Sequence, residues 1–159
     1  MARRIIIYTD GAASGNPGPG GYGVILKSGK HYKELSQGYR LTTNNRMELL
    51  AVIVGLEELK NKGSKVDVFT DSRYVCDSVE KGWVFDWEMK RFRKKKNTDL
   101  WKRFLTIYRI HEVKLHWVKG HADIAENERC DRLAVDAYKK KNLLIDVGYE
   151  NEIKPNSMW

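Results

Sequence analysis

Four acidic residues are set where acids can do chemistry together. Asp10 and Asp71 close two runs of the same form, Ile5-Ile6-Ile7-Tyr8-Thr9-Asp10 and Val66-Asp67-Val68-Phe69-Thr70-Asp71. If these runs are parallel neighbours in register, the two-residue period of a strand sends both carboxylates to one face. They then lie at the carboxyl ends of the strands, where open α/β sheets place their sites. Glu48 and Asp131 each lie near the start of a segment with helical spacing, one position off its apolar stripe and so on its border. Singly, each acid has an ordinary explanation. Asp10-Gly11 can open a turn, Asn45 to Glu48 has capping-box spacing, Asp71 can cap the helix after it, and Asp131 can be a solvated helix residue. Together they conflict, because four carboxylates in one cleft repel and force a proton onto at least one of them unless a cation offsets the charge. Oxygen-only ligands suit Mg²⁺ or Mn²⁺. Two such ions about 3.5–4 Å apart can activate a water and stabilise the leaving oxygen of a phosphodiester.

The elements that must position these acids follow from periodicity. Arg4–Thr9, Tyr22–Lys27 and Tyr32–Tyr39 read as three strands, with a glycine-rich loop from Gly11 to Gly21 after the first. From Asn44 to Asn61 the period changes: Met47, Leu50, Ala51 and Val54 recur at helical spacing and Gly63 marks the stop. Val66–Thr70 is a strand, Ser72–Val79 a helix, and Leu100, Trp101, Phe104, Leu105 and Tyr108 outline another helix. Val113, Leu115 and Trp117 alternate as a last strand, and Cys130, Leu133, Ala134, Ala137 and Tyr138 mark a final helix. The order βββ-α-β-α-α-β-α is an α/β fold, a mixed sheet flanked by helices. Residues 1–141 are expected to form one domain, and 142–159, with no clear period, a tail.

Composition bounds the function. At 159 residues and 42% hydrophobic the chain has the content for one globular core, and no apolar run approaches the roughly 20 residues of a membrane helix. The three isoleucines after Arg4 are too few for a signal-peptide core, so a cytosolic chain with reduced Cys76 and Cys130 is expected. Lys+Arg less Asp+Glu is 29 − 21 = +8, which points toward a polyanion. Lys90, Arg91, Arg93, Lys94, Lys95, Lys96, Lys102 and Arg103 against Asp99 put 8 − 1 = +7 of it into one stretch, either a solvated loop or a handle for phosphate. Trp83 and Trp87, four apart, share a helix face and serve as core or as a stacking surface beside that tract. Gly18, Gly20 and Gly23 spell G-x-G-x-x-G, but Pro19 intervenes and a strand follows, which excludes a dinucleotide fingerprint. His121, in a loop before the last helix, is structural or, beside a metal cleft, suited to proton transfer.

Several blocks together resemble bacterial ribonuclease HI: Tyr8-Thr9-Asp10-Gly11, Gly15-Asn16-Pro17-Gly18-Pro19-Gly20-Gly21, Thr42-Thr43-Asn44-Asn45-Arg46-Met47-Glu48, Thr70-Asp71-Ser72, Asp99-Leu100-Trp101, Trp117-Val118-Lys119-Gly120-His121-Ala122 and Glu126-Asn127-Glu128-Arg129-Cys130-Asp131. They run in order from about residue 4 to 138. The resemblance implies the ribonuclease H-like fold, with three antiparallel strands followed by two parallel ones. It implies a Mg²⁺-dependent endonuclease, with Mn²⁺ as substitute, that cuts the RNA strand of RNA–DNA hybrids and leaves 5′-phosphate and 3′-hydroxyl ends, acting as a monomer. Asp10, Glu48, Asp71 and Asp131 become the metal-binding and catalytic carboxylates, expected to hold two ions with substrate bound, and His121 assists proton transfer or product release. Asn16, Asn44, Asn45 and Arg46 match the groove-reading segments, where a 2′-hydroxyl separates RNA from DNA. Thr43 and Asn97 match a pocket for a DNA-strand phosphate, while Trp83, Trp87, Lys90, Arg91, Arg93, Lys94, Lys95 and Lys96 match the protrusion that docks the DNA strand. Two departures stand out. Leu41 replaces an Arg that helps form the phosphate pocket in some relatives, and Asp123-Ile124-Ala125 replaces a Gly-His-Pro-like stretch.

Overall fold

The computed structural model describes residues 4–120 and 124–154. β1 (Ile5–Ala13), β2 (Gly18–Ser28) and β3 (His31–Thr42) form an antiparallel meander, and α1 (Asn44–Glu57) carries the chain to β4 (Lys65–Thr70), parallel to β1. Then α2 (Arg73–Glu80), α3 (Trp83–Met89) and α4 (Thr98–Tyr108) lead to β5 (Glu112–Trp117), parallel to β4, and α5 (Ala125–Tyr138) and α6 (Val147–Ile153) follow. The sheet order is β3-β2-β1-β4-β5, the mixed five-stranded arrangement expected. Its register brings the two Thr-Asp endings together. Tyr8 pairs with Phe69, and their rings stack 5.3 Å apart on the face that also carries positions 10 and 71.

α1 lies between the sheet and α4, which explains its composition. A helix packed on two sides needs apolar residues nearly all round, and Met47, Leu49, Leu50, Ala51, Val52, Ile53 and Leu56 are all buried. Opposite them Ile7, Val24 and Val68 from the sheet and Trp101 and Phe104 from α4 are fully enclosed. Each such large side chain contributes about 1.5–3 kcal/mol by leaving water. α5 covers the other face of β1–β3.

Three differences from the sequence reading have physical causes. The first two strands continue through the glycines: Gly11 pairs with Tyr22, Ala12 with Gly21 and Ala13 with Gly20. Asp10-Gly11 therefore lies inside a strand and opens no turn. Glycine is required there by close helix packing. A Cβ on Gly11 would overlap the backbone of Met47 and Glu48 on one face of the sheet, and one on Gly23, the cross-strand partner of Asp10, would overlap the Cys130 carbonyl on the other. Second, α3 and α6 are seven-residue helices, too short to show a repeat.

Third, the expected tail is docked through residue 154. Leu144 exchanges backbone hydrogen bonds with Gly38 and Arg40 at the edge of β3. Asp146 caps α6 by accepting from the Tyr149 N–H. The same carboxylate accepts from Thr42 Oγ1 at 2.7 Å and from Arg46 Nε at 2.8 Å and Nη2 at 2.9 Å. Cys76 and Cys130 are buried free thiols, and Cys130 Sγ donates to the Tyr8 carbonyl at 3.4 Å.

Candidate active site

Asp10 on β1, Glu48 on α1 and Asp71 just after β4 meet at the carboxyl ends of the two parallel strands. One carboxylate oxygen from each lies within 4.8 Å of the other two. They sit in a cavity of about 720 Å³, also lined by Asn44, Asn45, Tyr74 and Asp131. Glu48 reaches this point because α1 presses its backbone onto Gly11. The Gly11 N–H donates to both the Glu48 and the Asp10 carboxylates.

The ordinary explanations lapse for Glu48 and Asp71, as for Asp10, but not for Asp131. Thr43, accepting from the Arg46 N–H, caps α1, so Glu48 belongs to no capping box. Ser72, accepting from the Val75 N–H, caps α2, so Asp71 is not its cap. Asp131 is exposed on α5, outside the close trio but on the cavity wall.

Burial without a counter-cation is the main electrostatic fact. Asp10 is 8% exposed and Glu48 3%. Burial pushes Asp10 up to about 7, the charges of Asp71 and Asp131 add to this, and hydrogen bonds from Glu48 and the Gly11 N–H oppose it. Burial, then the charge of Asp10, raises Glu48 well above the ordinary carboxylate range. An all-oxygen trio in which burial and mutual repulsion raise Asp10 and Glu48 fits a hard divalent metal ion, whose charge would offset theirs.

The remaining expected residues divide. Asn44 and Asn45 are exposed on the cavity wall, and Asn16, also exposed, accepts from the Asn44 N–H at 3.1 Å, tying the β1–β2 loop to the start of α1. Arg46 does not join them. It is 1% exposed, bidentate to Asp99 at 2.7 and 2.8 Å and bonded to Asp146, so its guanidinium is enclosed by protein and no groove can reach it. Asn97 is also buried, donating to the Tyr74 hydroxyl at 3.1 Å. Trp83 is exposed, whereas Trp87 packs edge-on against Trp101 at 5.8 Å. The Trp pair is thus part surface and part core.

Lys90, Arg91, Arg93, Lys94, Lys95 and Lys96 are exposed on the loop between α3 and α4. Arg91, Phe92, Lys94 and Asn97 hold φ near +60°, a region that non-glycine residues seldom enter. Buried Phe92 anchors the loop and its N–H donates to the Trp87 carbonyl, which holds the basic side chains outward. Arg103 is paired with Glu57 and Asp99 with Arg46, so both leave the free charge of the tract. Leu41 is half-buried in β3; Ile124 precedes α5 and Ala125 begins it. His121 and Asp123 lie outside the described residues.

Sequence reading missed Tyr74, Arg73 and Arg132 on the cavity wall. The hydroxyl of Tyr74 accepts from Asn97 and from Trp101 Nε1 at 2.8 Å, linking the cavity to the anchor of the basic loop. Arg73, two residues after Asp71, carries the one available signal, a cation beside an acid.

Residues 2–139 match the RNase H family. The chain is 56% identical over 150 residues to the ribonuclease H of Desulforamulus reducens, covering 91% of this chain and 94% of that one. It is 49% identical over 151 residues to the ribonuclease HI of a Synechocystis species, covering 91% and 94%. Among solved structures it resembles LC9-RNase H1, a type 1 RNase H with the type 2 active-site motif, with a TM-score of 0.80 at 30% identity over 98% of this chain and 82% of that one. It also resembles LC11-RNase H1 in complex with an RNA/DNA hybrid, with a TM-score of 0.60 at 29% identity over 85% and 96%. The sheet order, the trio of acids fitting a metal-binding site and the likeness along nearly the whole sequence agree, and the chain belongs to the RNase H family, in its type 1 branch.

Proposed function

We propose that the chain is an endonuclease that hydrolyses the RNA strand of RNA–DNA hybrids with a pair of Mg²⁺ ions, leaving 5′-phosphate and 3′-hydroxyl ends. The observation that carries this reading is the convergence of Asp10, Glu48 and Asp71 in a cavity open enough for a backbone phosphate. Bound there, Mg²⁺ would offset the negative charge of the carboxylates and would stabilise the charge that develops on the scissile phosphate. Asp10, Glu48 and Asp71 hold the ions, Asp131 contributes from α5, and His121 passes a proton or helps release product.

Asn16, Asn44 and Asn45 address the minor groove of the hybrid, where the 2′-hydroxyl marks the RNA strand. Thr43 and Asn97 border the DNA-strand phosphate, and Trp83, Trp87 and the six cations of the basic loop dock that strand. The hybrid held by LC11-RNase H1 supports this choice of substrate. Residues 1–141 form the catalytic domain, braced by the segment through α6, and the chain acts as a cytoplasmic monomer. Among the described residues no helix is long and apolar enough to cross a membrane.

The test is cleavage of a hybrid labelled on its RNA strand, with Mg²⁺, with Mn²⁺ and with chelator, beside RNA and DNA duplexes. Cutting confined to the hybrid and to metal-containing buffer is expected. Equal cutting under chelation would sink the mechanism.

A further inference from the structure

Arg73 stands where a cation ought to pair with an acid, and among the described residues it does not. It lines the cavity that holds five carboxylates, yet no carboxylate among the described residues lies within ion-pair distance of its guanidinium. Its guanidinium carbon instead sits 3.8 Å from the centroid of the Trp117 ring. Stacking occupies the face of a guanidinium and leaves its edge of N–H donors open, the geometry that grips two phosphate oxygens at once.

The ring is itself fixed. Trp117 Nε1 donates to the Asp71 carbonyl at 3.1 Å, Trp117 pairs with Thr70 in the sheet, and the Val118 N–H donates to the Thr70 carbonyl at 2.9 Å. The stacked Arg73 and the Asp71 carboxylate are therefore mounted on one rigid unit. An arginine held in place before binding loses less freedom when it binds.

We infer that Arg73, held against Trp117, is a substrate-positioning residue that grips the RNA-strand phosphate next to the scissile one. The inference rests on the nuclease reading above. It assigns to the RNA strand a contact separate from the basic loop, close to the carboxylates and made by one pre-oriented side chain.

Affinity is measured in chelator in an Asp10→Asn background, with and without Arg73→Gln, against hybrids carrying one methylphosphonate scanned along either strand. Arg73→Gln is expected to weaken binding about tenfold and to reduce the slope of log affinity against log salt by about 0.7–0.9, the value for one phosphate contact. At one RNA-strand position the neutral linkage should weaken Arg73-bearing protein and leave Arg73→Gln unaffected. With the Asp10 carboxylate intact, Arg73→Gln should raise KM with kcat within about twofold, and Arg73→Lys should keep the salt slope while recovering only part of KM. An unchanged salt slope, or a matching position on the DNA strand alone, overturns the inference. Hybrid cleavage by the unaltered chain tests the nuclease reading separately, so the two can fail independently.

Discussion

The molecule gathers carboxylates in two places and treats them in opposite ways. Around Arg46, the carboxylates of Asp99 and Asp146 meet a guanidinium that is 1% exposed and bonded along its whole edge, and the helix cap of α6 uses the same oxygens. Around Gly11, the carboxylates of Asp10, Glu48 and Asp71 crowd together, Asp10 and Glu48 sharing the Gly11 N–H, and no cation among the described residues pairs with them. The first cluster is electrostatically closed and holds the fold together. The second is left open, and its cost is recovered only when something positive arrives from outside. Two clusters of acids thus serve structure and chemistry according to whether the chain supplies its own counter-charge.

The comparison can be broken most severely at the open cluster. Asp10→Asn is expected to lower hybrid cleavage on the order of a thousandfold, with hybrid affinity in chelator unchanged. Loss of affinity in step with activity would show that Asp10 serves the fold. At the closed cluster the expected effect is on stability. Arg46→Ala leaves Asp146 buried without its partner and should cost about 3–5 kcal/mol. That lowers the melting midpoint by roughly 10 °C or more for a domain of this size. Turnover of the folded protein in the cold should fall less than about tenfold. A melt indistinguishable from the parent would refute the closed-cluster reading.

The pH dependence sharpens the contrast. Asp10, held near 7 in the fold against about 4 in an unfolded chain, keeps a proton between those values that the unfolded chain releases. The metal-free protein should therefore lose stability as pH rises from about 4 to 7, and Mg²⁺ should restore more at pH 7 than at pH 5. Asp99 and Glu34 are held below the ordinary range, Glu34 at about 2, so their contributions persist across that window and fail only in acid. Thermal melts with and without Mg²⁺ measure this, and an equal shift by Mg²⁺ at both pH values would count against it. The smallest effect belongs to the basic loop. Replacing Lys94, Lys95 and Lys96 with Gln should raise KM, reduce the salt slope by roughly 2–3 and leave kcat unchanged.

What could be read from the sequence was what local pattern and register control. Two matching Thr-Asp endings announced parallel strands with acids on one face, and helical spacing placed Glu48 and Asp131 at the border of buried stripes. Arg46 misled because its neighbours, Asn44 and Asn45, face the cavity while its own partners lie 53 and 100 residues away. Nothing local distinguishes an arginine that meets substrate from one that meets the end of its own chain. α6 was hidden because seven residues carry no period and its docking rests on Asp146 and Glu150 meeting residues 104 and 110 positions away. The strands running through Gly11 and Gly20 were hidden for a related reason: glycine reads as a loop until the helices pressing on it are known.

Gly11 has a final consequence. Because the missing side chain lets α1 lie backbone to backbone on β1, the separation of Asp10 and Glu48 is set by the thickness of two peptide chains. Such a gauge does not drift when neighbouring core residues exchange one aliphatic shape for another. The sequence of the interior is free to wander, and the distance between the acids stays the same.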